Sequence, residues 1–224
     1  MQQKAPRRTR ERILELSLRL FNDFGEPNIT TTVIADEMHI SPGNLYYHFR
    51  NKDDIVNSIF VQFEGEIVRM LTVPAGRRSS MDDVWSYLHA MFELIWKYRF
   101  FYRDLNDLLS RNRTLELQFK AILGHKTALA RQLCEGLRSE GALEADDARI
   151  GAMATNMAVI ATYWLSYEYV RNPRHYGEQQ AVADALARGC YQVLSLVGPY
   201  LRGATHEQFE RLSGDYLTTA APTP

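Results

Sequence analysis

The side chains best placed to do chemistry in this sequence are polar ones on one side of a short apolar pattern. Between Thr30 and Lys52, Ile34, Ala35 and Met38 recur at helical spacing, and Ile40, Leu45 and Phe49 do the same beyond a polar break. Asn44, Tyr47 and His48 fall on the face opposite the second apolar set. An amide, a phenol and an imidazole together offer hydrogen bonds to base edges and phosphate oxygens. Thr30 is placed to cap a first helix, and Ser41 followed by Pro42 is an N-cap with proline at the first helical position. Two short capped helices joined by so tight a turn predict a helix-turn-helix, whose second helix enters the DNA major groove.

The surrounding charge supports that chemistry. Lys4, Arg7, Arg8, Arg10 and Arg12 gather before and inside the first helix, opposed there only by Glu11. A basic arm suits backbone phosphates, because each contact releases condensed counterions. The alternative for such an arm is a disordered solubilising tail. Overall charge is only −1, so bulk composition does not announce a nucleic-acid binder.

Other chemistry finds little support. Six histidines form no i,i+4 pair and none stands at ligand spacing from a cysteine, so no metal site is expected. Cys134 and Cys190 are far apart and read as small buried thiols. There is no phosphate-binding glycine loop, nucleophile elbow or dinucleotide fingerprint, and neither enzymatic activity nor a cofactor is expected.

The elements that must position the site are all helical. With 224 residues, 46% hydrophobic and 24% charged, the chain can build ample core, and no apolar run approaches a membrane span. The basic N-terminus has no apolar signal segment behind it, so a cytoplasmic location is expected. Helical patterns run over about 9–24, 52–71, 81–99, 101–111, 114–140, 146–171 and 178–201, the last ending the folded part. Residues 73–80 read as a loop, with Ser80 as a cap for the helix after it. The expected fold class is all-α. A helix-turn-helix domain with a basic arm covers 1–52, a helical sensing and dimerisation domain covers 53–217, and 218–224 is a disordered tail.

Two textures mark the larger part. Small residues Ala154, Ala158 and Ala161 lie along one late helix and Ala185 and Gly189 along the next, with Val182, Leu186, Val193 and Val197 beside them. Such spacing lets helices approach closely; it serves either packing within the chain or a two-fold interface between chains. Aromatics concentrate around Trp96, Phe101 and Tyr102, around Tyr163, Trp164 and Tyr167, and more loosely around Trp85 and Phe92, with Arg103 interleaved. They suit either plain core or the walls of a pocket for a mostly apolar or aromatic molecule.

The N-terminal residues resemble the TetR family of bacterial transcriptional regulators. The match runs through Phe21, Gly25, Thr30, Ile34, Ala35, Ser41, Leu45, Tyr46, His48, Phe49 and Lys52 with unbroken spacing. It departs at the turn, where Met38 and His39 replace the usual small residue and glycine; a histidine there must accept positive φ with some strain. The resemblance implies that Thr31 and Thr32 contact phosphate or a base edge. It also implies that Pro42, Gly43 and Asn44 open the recognition helix against DNA, with Asn44 able to pair with adenine. By the same resemblance Tyr46, Tyr47 and His48 clamp the backbone, and Lys52 adds a phosphate contact. The implied function is a dimeric repressor on a palindromic operator, with recognition helices about 34 Å apart, released by a small effector. Two alternatives stand beside it. One is a ligand-independent architectural DNA-binding protein whose larger domain dimerises or takes a protein partner; the other is a helical ligand-binding protein or enzyme with a vestigial motif.

Overall fold

The computed structural model describes residues 6–72 and 81–219, without the side chains of 6, 7, 82, 83 and 215–219. Among the described residues there are eleven α-helices and no strand. They are α1 (Pro6–Phe24), α2 (Thr31–Glu37), α3 (Pro42–His48), α4 (Lys52–Leu71), α5 (Met81–Lys97) and α6 (Arg99–Arg103). After these come α7 (Leu105–Arg111), α8 (Arg113–Ser139), α9 (Asp147–Arg171), α10 (Gln179–Ser195) and α11 (Gly203–Thr219). The loop expected at 73–80 and the Ser80 cap lie outside the described residues.

Two expectations need correction. The block over 101–111 is two helices, broken at Asp104, whose backbone leaves helical geometry while its carboxylate accepts the Glu26 N–H at 3.0 Å. A tertiary hydrogen bond here outweighs helical continuity. The folded part also does not end near Leu201. A 3₁₀ turn at Gly198–Tyr200 and an isolated bridge between Leu143 and Leu201 redirect the chain into α11, which buries Phe209 and Ser213. Thr218 and Thr219 are therefore helical rather than tail, and 220–224 lie outside the described residues.

The chain divides into two compact units. Unit 1 comprises Met1–Glu66 and Tyr98–Lys120; unit 2 comprises Ile67–Lys97 and Ala121–Pro224. Aromatic packing ties α6 to α1, α4 and the start of α8 within unit 1. Phe60 and Phe101 meet edge to face at 5.2 Å, Tyr102 and Phe119 at 5.5 Å, and Phe21 lies 5.2 Å from Phe100. Each such pair adds about 0.5–1.5 kcal/mol beyond the area it buries.

Unit 2 rests on a seam of small residues where α10 packs against α9 and α5. A Cβ on Gly189 would stand 2.8 Å from both Phe92 Cζ and Trp164 Cδ1, so only glycine admits the two rings there. The Trp164 indole donates to the Ala185 carbonyl at 2.7 Å. Buried Glu168 accepts both Arg188 Nε (2.9 Å) and Nη2 (2.7 Å), which fixes the register of α9 on α10 with a planar, charge-assisted fork. Cys134 and Cys190 are both free and buried.

Candidate nucleic-acid interface

The helix-turn-helix is held by local chemistry. Thr30 Oγ1 accepts the Val33 N–H at 3.3 Å to start α2, and Ser41 Oγ accepts the Asn44 N–H at 3.2 Å to start α3. Ile34, Ala35 and Leu45 are wholly buried between the helices. The turn takes a left-handed residue at His39, with φ 54°, while the Ile40 N–H reaches back to the Ala35 carbonyl at 3.0 Å. Glycine is the usual occupant of such a helix C-terminus, so the imidazole sits there at a steric cost.

That frame turns a set of donors outward. Thr32, Pro42, Gly43, Asn44, Tyr46 and Tyr47 are exposed, Tyr47 to 80%, while Thr31 and His48 are half-buried. The Thr31 and Tyr46 hydroxyls lie 3.0 Å apart, tying the start of α2 to the face of α3. Tyr47 and His48 pack edge to face at 5.2 Å. A Cβ on Gly43 would meet only Ser41 Oγ, at 3.9 Å, so internal packing does not demand glycine at this exposed position.

The basic residues divide. Arg8 is exposed, and the Arg7 side chain and Lys4 lie outside the described residues. Arg10 places its guanidinium 4.7 Å over the Phe49 ring and donates to Ser58 Oγ at 3.0 Å, so it pins α1 to the end of α3 and to α4. Lys52 turns toward the loop between α1 and α2. Its ammonium lies 3.0 Å from Glu26 Oε1 and donates to the Glu26 carbonyl at 3.0 Å.

Glu26 is wholly buried and was not legible as a site residue, nor was Arg111, which pairs with its second carboxylate oxygen. The two stand 85 residues apart, and no sequence spacing links them. Arg103 also belongs to this region. It donates to the Phe21 carbonyl at 2.6 Å and the Asn22 carbonyl at 3.1 Å, capping the C-terminal end of α1.

The nine residues expected around a pocket are divided between the two units. Phe101, Tyr102 and Arg103 belong to unit 1, where the two rings are core and the guanidinium is the cap just described. In unit 2, Phe92 and Trp164 close on Gly189, while Trp96 packs 5.0 Å from Tyr176 and Trp85 is half-buried. Tyr163 and Tyr167 face outward, with Tyr167 5.1 Å from Trp164. Of the residues expected at a dimer seam, Ala154, Ala158, Ala161, Ala185, Leu186, Gly189, Val193 and Val197 are buried within one copy, and Val182 is half-buried. The outward face of α9 carries Val159, Tyr163, Tyr167 and Val170. Among the described residues no cluster of His, Cys, Asp or Glu could hold a metal ion, and no helix is long and apolar enough to cross a membrane.

Capped paired helices presenting hydroxyl, amide and phenol groups from a short exposed helix define a helix-turn-helix DNA-binding module. The family described as "Bacterial regulatory proteins, tetR family" matches residues 13–59, and the one described as "TetR: Bacterial transcriptional repressor" matches residues 62–209. The chain belongs to the TetR family of transcriptional regulators, which are DNA-binding regulators rather than enzymes. It is similar to a TetR-family transcriptional regulator from Marinobacter aquaeolei VT8, at 36% identity and TM-score 0.83 over 93% of this chain and 98% of that one. A protein from Saccharomonospora viridis assigned as a transcriptional regulator, solved in complex with choline, shares the fold. It is 15% identical with TM-score 0.66, over 88% of this chain and 100% of that one. An HTH-type transcriptional regulator of Staphylococcus aureus (strain USA300) is 40% identical over 52 residues, which span 23% of this chain and 28% of that protein.

Proposed function

We propose that this regulator is a homodimeric repressor that acts in the cytoplasm on a palindromic duplex operator and is released by a small molecule bound in unit 2. The observation that carries the reading is the outward face of α2 and α3, where exposed donors stand on a buried apolar frame. In this reading Arg7, Arg8, Thr31, Thr32, Tyr46, Tyr47 and His48 hold phosphates. Pro42 and Gly43 allow close backbone approach, and Asn44 reads one base pair. Lys52, occupied by Glu26, positions α4 rather than serving first as a phosphate ligand.

Dimerisation through the outward face of α9 is supported by Val159, Tyr163, Tyr167 and Val170, apolar and aromatic side chains repeating at spacings of four, four and three. Ligand response is supported by the match of the C-terminal family and by the choline complex of a protein with the same fold. Trp85, Trp96 and their neighbours suit a mostly apolar or aromatic effector. The packing of Phe92 and Trp164 onto Gly189 favours, at that point, the alternative of a ligand-independent DNA-binding protein.

Mobility shifts with DNA from the protein's own upstream region test the reading. Specific retention, with Asn44→Ala relaxing preference at one base pair per half-site by ~1–3 kcal/mol, is the expected result. Failure to retain any fragment removes it. Release by a small molecule separates the repressor from the ligand-independent alternative. Sedimentation of Tyr167→Glu as a monomer, beside a dimeric wild type, supports the α9 interface.

A further inference from the structure

Beside their aromatic contacts, α6 and α7 make polar contacts with the end of α1, the loop after it and the start of α4, and these converge on Glu26. Glu26, wholly buried, is held between the Lys52 ammonium and the Arg111 guanidinium. Arg111 also reaches Asp107 at 3.0 Å and Asp53 at 3.5 Å, bridging α7 to the start of α4. Asp104 accepts the Glu26 N–H, Arg103 holds the last carbonyls of α1, and the Phe100 N–H donates to Asn22 Oδ1 at 3.1 Å. Gly25, at φ 89°, passes the chain under the Arg103 guanidinium, which a Cβ there would approach to 3.4 Å. Apolar side chains tolerate sliding, whereas charged groups with several directed partners accept one register. A buried ion pair adds little net stability over an apolar substitute, and its best-attested use is to fix register. A regulator that reads two half-sites needs such fixing, because its recognition helices must meet grooves at one set separation.

We propose that the Glu26 cluster sets the half-site spacing this regulator accepts, by locking the helix-turn-helix at one angle on the frame of α6, α7 and the start of α8. Glu26 and Arg111 are positioning residues and do not touch DNA. The inference rests on the dimeric DNA-binding reading above.

The test selects an operator from random duplex DNA with the wild-type protein, then lengthens or shortens the spacer between half-sites by one base pair. Wild type is expected to lose ~10-fold or more in affinity on either change, as half-site geometry requires. Glu26→Gln, which keeps shape and removes charge, is expected to lose less than ~3-fold on the same changes while binding an isolated half-site as wild type does. Arg111→Gln carries the same test should Glu26→Gln fail to fold by its thermal melt, and Arg111→Lys is expected to restore part of the discrimination. A folded Glu26→Gln or Arg111→Gln protein with wild-type spacing discrimination overturns the proposal. A wild-type protein that selects single half-sites, with no fixed spacing, overturns the dimeric reading and this inference with it.

Discussion

The two units hold their helices together with different emphasis. Unit 1 ties short helices with directed polar contacts: Glu26 to Lys52 and Arg111, Arg103 to the end of α1, and Asn112 to Asn57 at 2.9 Å. Unit 2 relies on close approach of long helices across small residues, with Gly189 and Ala185 receiving Phe92 and Trp164. Helices of seven residues such as α2 and α3 cannot hold themselves by propensity or bury enough apolar surface to fix their angle. Long helices such as α9 and α10 set their angle through packing, and polar groups add register. A unit that must present side chains at defined angles therefore uses the directed contacts.

A large expected effect lies on the polar side of this contrast. Glu26→Ala should destabilise the protein by about 3 kcal/mol, the lower end for breaking a buried pair because Lys52 and Arg111 can still reach water. Chemical denaturation measures it, and a loss below 1 kcal/mol would make the cluster incidental to unit 1.

Next comes a polar group inside the apolar unit. Lys126 is buried on α8, its ammonium 3.4 Å from the Ala161 carbonyl and Thr162 Oγ1, and burial pulls its pKa down to about 7. Its unfolded-state value is the higher one, so between about pH 7 and 10.5 the unfolded chain binds the extra proton. The destabilisation from Lys126 is therefore complete below pH 7 and fades as pH rises toward 10.5. Lys126→Met should gain on the order of 2–4 kcal/mol at pH 7 and much less at pH 10. Denaturation at the two pH values checks it; a gain independent of pH would assign the effect to packing.

The seam itself is tested by Gly189→Ala. An added methyl 2.8 Å from two aromatic carbons should cost about 1–3 kcal/mol and lower Tm. A neutral result would show that Phe92 and Trp164 can withdraw, and that unit 2 holds more slack than its small residues suggest. The smallest effect belongs to the turn. His39→Gly should gain about 0.5–1 kcal/mol by relieving a left-handed side chain, offset in part by the freedom glycine has when unfolded. Operator affinity measured alongside would reveal whether the imidazole also has a binding role.

What was legible in the sequence follows the range of the forces involved. The caps at Thr30 and Ser41, the buried Ile34 and Leu45 and the strained turn at His39 depend on residues a few positions apart, and all were readable. The small-residue pattern was readable as a seam, but not which surface it met, because packing within a chain and between chains requires the same residues. The aromatic groups were ambiguous for a similar reason: a ring in a core and a ring on a pocket wall have the same spacing. Phe101 and Tyr102 joined the core of unit 1, and Tyr163 and Tyr167 turned outward. The helix from Gly203 is hidden in the sequence because Gly198, Pro199 and Gly203 suit an ending as well as a corner.

The sequence by itself determined the all-helical class, the helix-turn-helix and the family, because local hydrogen bonds and helical periodicity are written in neighbouring residues. Only the tertiary structure decided that α6 and α7 belong with the DNA-reading helices, and that α9 turns Val159 and Val170 outward. It also brought Glu26 to Arg111 across 85 positions. Charge pairing at that separation has no periodicity to betray it; it exists only once the chain has folded.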